Sequence, residues 1–80
     1  DMGKKLFVDG FPASCTDQQL YDLFVPFGQV LSARVIRGHR GESLRFGFVE
    51  MASEEEAVRA QQALHRTFLE GQSLIVTFAQ

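Results

Sequence analysis

Polar and apolar positions alternate from Lys5 to Asp9, with Leu6 and Val8 on one side and Lys5, Phe7 and Asp9 on the other, which is the period of a β-strand. Gly10, Phe11 and Pro12 interrupt that run. Thr16 then stands three residues before Gln19, the spacing of a capping box, and Leu20, Leu23, Phe24 and Phe27 give the helix it opens an apolar stripe. Pro26 and Gly28 end it. Val30 to Arg37 is rich in β-formers and predicts a second strand, with Leu31, Ala33 and Val35 facing inward and Ser32, Arg34 and Ile36 outward. After a Gly38–Gly41 loop, Leu44 to Met51 predicts a third strand that sets Gly47, Val49 and Met51 against Leu44, Phe46, Phe48 and Glu50. Ser53 followed by Glu54, Glu55 and Glu56 caps a second helix, whose inner stripe is Ala57, Ala60, Gln61 and Leu64. Leu74 to Ala79 closes the chain as a strand with Leu74, Val76 and Phe78 inward and Ile75 and Thr77 outward.

The resulting order, βαββαβ, contains two strand-helix-strand halves. Right-handed crossovers place both helices on one face of a four-stranded antiparallel sheet, an α+β ferredoxin-like sandwich. The opposite face is then uncovered, and three of its outward residues are phenylalanines: Phe7, Phe46 and Phe48. Apolar surface left in water on a small domain marks an interaction site, and flat rings beside arginines suit unstacked bases.

Composition narrows the choice. Eighty residues, 45% of them hydrophobic, support one core, so residues 1–80 are expected to form a single domain. A chain this short buries only about 60–65% of its unfolded surface, which leaves no room for an internal cofactor cavity, and no cofactor is expected. The single cysteine, Cys15, allows no internal disulfide and suits a reducing, intracellular compartment: the cytoplasm in a bacterium, the nucleus or cytoplasm in a eukaryote. Cys15, His39 and His65 are too scattered to converge on a metal. No apolar run reaches the roughly 18–20 residues of a membrane span, so no membrane partner is expected. Net charge is −2, the wrong sign for a protein that grips a duplex by its phosphates. Yet residues 34–45 hold Arg34, Arg37, Arg40 and Arg45 against Glu42 alone, a local net charge of +3. An acidic body with one basic hairpin fits a single-strand binder, where stacking substitutes for charge.

Two segments resemble the signatures of a known family. Leu6-Phe7-Val8-Asp9-Gly10-Phe11 is similar to the first-strand hexamer of the RNA recognition motif, and Leu44-Arg45-Phe46-Gly47-Phe48-Val49-Glu50-Met51 is similar to its third-strand octamer. Leu23-Phe24, Phe27-Gly28 and the run from Glu55 to Leu64 leading to Gly71 extend the resemblance over the whole chain. The short β2–β3 hairpin and Phe48-Val49-Glu50-Met51 look most like bacterial or organellar single-domain members. The resemblance implies that Phe7 and Phe48 stack on bases and that Phe46 packs on a sugar. Arg34, Arg40 and Arg45 are then expected at phosphates or base edges, Lys5 on the same face, and Gln80 at a base edge beyond the last strand. The octamer departs from its family pattern at Leu44, where Lys or Arg is usual, and at Arg45, where Gly is usual.

Other residues have plainer readings. Asp9 and Glu50 are solvated strand residues that would repel phosphate, His65 simply follows a helix, and Cys15 is a small residue ahead of an N-cap. The leading function is binding of single-stranded RNA by a monomer, with single-stranded DNA as a close variant. The competing class is a protein-interaction module of the same fold, taking a partner on its helical face. An enzyme is not expected: acylphosphatases resemble this arrangement but depend on an Asn, and the chain contains none.

Overall fold

In the computed structural model, which describes residues 3–79, the alternating segment forms β1 (Lys5–Asp9) with Leu6 and Val8 fully buried. Helix α1 (Asp17–Phe24) starts where the capping box places it: Thr16 Oγ1 accepts from the Gln19 amide at 3.1 Å, and Gln19 Oε1 accepts from the Thr16 amide at 2.9 Å. These reciprocal bonds satisfy two donors that a helix start leaves unpaired. A single 3₁₀ turn, Val25–Phe27, follows, with Pro26 tolerated near its start. The chain then runs through β2 (Val30–Arg37), β3 (Ser43–Met51) and α2 (Glu54–Leu64), where Ser53 Oγ accepts from the Glu56 amide. Two short strands, β4 (Phe68–Leu69) and β5 (Gln72–Ser73), precede β6 (Ile75–Phe78).

The main sheet has the order β2-β3-β1-β6 with every neighbouring pair antiparallel. Both helices pack on one face of it, as the βαββαβ order requires. Leu6, Val8, Val49, Met51 and Val76 meet Leu20, Phe24, Ala57 and Ala60 in one core, each of them wholly buried. Phe11, in the segment that breaks β1, also belongs to that core. Gly47 is where β2 and β3 come closest: a Cβ there would lie 2.2 Å from the Arg34 carbonyl oxygen, so any side chain would push the two strands apart.

Several positions depart from simple alternation. Leu31 is 54% exposed because the β2–β3 register skips it: Val30 pairs with Met51 and Ser32 with Glu50, leaving Leu31 as a bulge. Phe78 pairs with Leu6 and so lies on the helix side, but at the outer strand it stays 41% exposed. Between α2 and β6 the chain folds into a hairpin that alternation did not predict, turning at Glu70 and Gly71 with φ of 50° and 81°. At the β6 edge, Val76 donates its amide to His65 Nδ1 at 3.1 Å and accepts from Gln61 Nε2 at 2.9 Å. The polar member of the α2 stripe and the residue after the helix therefore satisfy an edge strand's free backbone groups.

Candidate nucleic-acid interface

On the bare face, Phe7 lies directly across from Phe48 in the β1–β3 register, and Asp9 lies across from Phe46. The three rings form one cluster. Phe7 is 5.6 Å from Phe46 and 5.7 Å from Phe48 by ring centroids, and Phe46 is 6.5 Å from Phe48 at 87°. These are the tilted and edge-on contacts that ring quadrupoles favour, and they hold each phenylalanine half-buried while leaving part of it open. Lys5 places its ammonium 5.0 Å from the Phe48 centroid, a cation–π contact beside the position a base would take.

Arg34 lies across from Phe48 on the β2 side and is exposed. Together with Lys5, Ser32, Ile36, Phe48 and Glu50 it lines an open hollow of about 360 Å³. Glu50, read from the sequence as a bystander, thus belongs to the platform, because its register partners are Lys5 and Ser32. Strand parity places it there, and only its charge argued against a role.

Arg45 reaches the interface by an irregular route. Between the pairs Val35–Gly47 and Arg37–Ser43, β2 supplies one residue and β3 supplies three, and Arg45 occupies this bulge with φ of 66°. That left-handed conformation explains why a glycine suits the position. Its backbone is satisfied on both sides: the Arg45 amide donates to Ser43 Oγ at 3.0 Å, and its carbonyl accepts from the Gly10 amide at 3.1 Å. The bulge also interrupts the pleat, so Leu44 is exposed without following Phe46 by simple parity.

Arg40 lies at the hairpin tip, outside the paired strands, where its amide donates to Glu42 Oε1 at 2.9 Å. The structure does not bring it to the aromatic cluster. Gln80 lies outside the described residues. Cys15 is buried, and its thiol is pushed above the ordinary 9.0 by burial first and then by Glu70 and Asp17. Among the described residues no helix is long and apolar enough to cross a membrane.

Fold and site together define an α+β sandwich whose bare sheet face carries an aromatic platform edged by cations. The chain belongs to the RNA recognition motif family, whose model matches residues 6–75. It is 38% identical over 98% of its length to the polyadenylate-binding protein, cytoplasmic and nuclear, of Eremothecium gossypii, and 39% identical over 94% to polyadenylate-binding protein 2 of Arabidopsis thaliana. The chain spans only 13% and 12% of those two proteins. Among solved structures it resembles RNA binding protein PG1, with a TM-score of 0.92 and 36% identity over 95% of this chain and 93% of that one. It also resembles the protein in a Sxl-lethal protein/RNA complex, with a TM-score of 0.94 and 30% identity over 98% of this chain and 47% of that one. The curated relatives are eukaryotic and lend no support to a bacterial or organellar type.

Proposed function

We propose that this chain is a module that binds single-stranded RNA across the bare face of its sheet and carries out no reaction of its own. The observation that carries this reading is the Phe7, Phe46 and Phe48 cluster, half-open to solvent with Lys5 and Arg34 beside it. About two or three bases lie across such a platform, stacked on Phe7 and Phe48, with a sugar against Phe46. Each stacked base contributes roughly 1–3 kcal/mol, so a chain of net charge −2 needs few ion pairs to hold a strand. Arg34 and Arg45 meet phosphates or base edges at the two ends of the cluster, Arg40 follows the strand from the hairpin tip, and Gln80 contributes beyond β6. The names of the polyadenylate-binding relatives and of the protein/RNA complex support RNA as the ligand. The 80 residues act as one monomeric unit. The buried, unpaired Cys15 suits an intracellular setting.

A residue-resolved NMR titration with short, randomised single-stranded RNA at low salt tests the proposal. Amide shifts are expected at Phe7, Arg34, Phe46 and Phe48 and in the basic hairpin, and a parallel titration with DNA of the same sequences measures the contribution of the 2′-hydroxyl. Shifts absent at high RNA concentration would overturn the reading and favour a protein partner on the helical face.

A further inference from the structure

We infer that the hollow beside Phe48 reads guanine and that Glu50 is the residue that sets the choice; this deepens, and rests on, the single-stranded RNA reading above. Phe48 lies across from Arg34, and Glu50, two residues along β3 on the same face, lies across from Ser32. A base stacked on Phe48 therefore has a guanidinium at one edge and a carboxylate at the adjoining edge, around the same hollow. Among the described residues, no side-chain hydrogen bond uses Arg34 or Glu50, and the Lys5 ammonium is engaged with the Phe48 ring. Both groups are free to take a ligand.

A cationic hollow alone would take any phosphate-bearing strand. Glu50 changes that, because an ionised carboxylate only accepts hydrogen bonds and repels phosphate, so whatever settles beside it has to bring donors. Uracil brings one ring N–H, flanked on both sides by carbonyls. Adenine and cytosine each bring one amino group, but the neighbouring ring nitrogen turns a lone pair towards the second carboxylate oxygen. Guanine alone presents two adjacent donors, N1–H and the 2-amino group, that match the two oxygens of one carboxylate. Its other edge presents O6 and N7, the pair of acceptors that an arginine fork meets. A wrong base also leaves a desolvated carboxylate without a partner, so the site discriminates by penalty as well as by attraction.

The test measures affinities of the whole 80-residue chain, by fluorescence anisotropy, for short oligouridines carrying one central guanosine, inosine, adenosine, cytidine or uridine. Guanosine is expected to bind at least about tenfold tighter than uridine, with inosine, which keeps N1–H but lacks the 2-amino group, in between. In Glu50→Gln the guanosine-to-uridine ratio collapses towards one, and the all-uridine strand binds more tightly because a phosphate-repelling charge has gone. A wild-type chain that does not rank guanosine first, or a ratio that Glu50→Gln leaves unchanged, overturns the guanine assignment while the RNA reading stands. Failure of the wild-type chain to bind any of the five strands overturns both.

Discussion

The two faces of the main sheet use the same strands and the same hydrogen bonds but do opposite things with apolar residues. On the helix side Leu6, Val8, Val49 and Val76 are sealed beneath α1 and α2. On the bare side Phe7, Phe46 and Phe48, larger and more apolar in area, are covered only by each other and by the Lys5 chain. Aliphatic packing on one face supplies the folding energy, so the other face can leave rings in water without losing the fold. The rings are also pinned at fixed tilts by their neighbours, which leaves little rotamer freedom to lose when a base arrives.

The contrast predicts that equivalent truncations on the two faces separate stability from binding. The largest effect is expected from Leu6→Ala, which opens a cavity in the core and should lower unfolding free energy by about 2–5 kcal/mol. A domain of this size has a total stability of about 4–12 kcal/mol, so much of the chain would populate the unfolded state. Urea denaturation measures this, and a loss below 1 kcal/mol, flagged as roughly the scale of a surface change, would break the distinction between the faces. Next is Phe48→Ala. RNA affinity should fall by about 1–3 kcal/mol, while the melt moves by no more than the roughly 0.5–1.5 kcal/mol that an aromatic contact contributes. A variant that loses stability and keeps its affinity would show that Phe48 is merely the core of the outer face.

How far the sequence foretold this arrangement depended on whether local and long-range forces agreed. Thr16 and Gln19 lie three residues apart and bond only each other's backbone, so their role was legible without any tertiary information. The outward set Phe7, Arg34, Phe46 and Phe48 followed from pleat parity within single strands. Leu31 did not, because a bulge is a property of two strands in register and leaves no mark in one strand's alternation. The β4–β5 hairpin was missed for a related reason: its strands are two residues each, too short to show a period, and the Glu70-Gly71 turn was its only local signal. His65 and Gln61 looked idle or misplaced until β6 brought the Val76 backbone against them. At the site, aromatic residues announced themselves by being apolar on the wrong face, whereas Glu50 resembled any solvated strand residue until the hollow around it was known.

Arg45 sharpens the comparison within the bare face itself. A non-glycine residue held at φ of 66° carries strain that a glycine does not, so Arg45→Gly should raise stability by about 1 kcal/mol. Binding should move the other way. Losing one phosphate contact lowers RNA affinity and flattens the dependence of log affinity on log salt by about 0.7, the share of one ion pair on a single strand. Paired urea melts and salt titrations of wild type and Arg45→Gly measure both quantities. Stability and affinity rising together would place the arginine outside the interface.

The smallest effect belongs to Cys15, which stands outside both faces of the comparison as a buried group that carries no ligand. Burial, helped by Glu70 and Asp17, raises its thiol above the ordinary 9.0. In the unfolded chain the thiol loses its proton at its ordinary value, and in the folded chain only at higher pH. Between those two values the folded state binds more protons than the unfolded one, so stability falls as pH rises through that window and is unaffected below it. Cys15→Ala removes this contribution. The difference in urea midpoint between wild type and Cys15→Ala should therefore be constant from pH 6 to pH 8, about the range where a free thiol stays protonated, and should shift against the wild type above pH 9, roughly where it ionises. The same burial should make the thiol slow to react with a disulfide reagent in the native state and fast once urea unfolds the chain. Native-state reactivity equal to that of the unfolded chain would show that the segment between β1 and α1 opens freely, so that the core does not close over it as tightly as it closes over Leu6 and Val8.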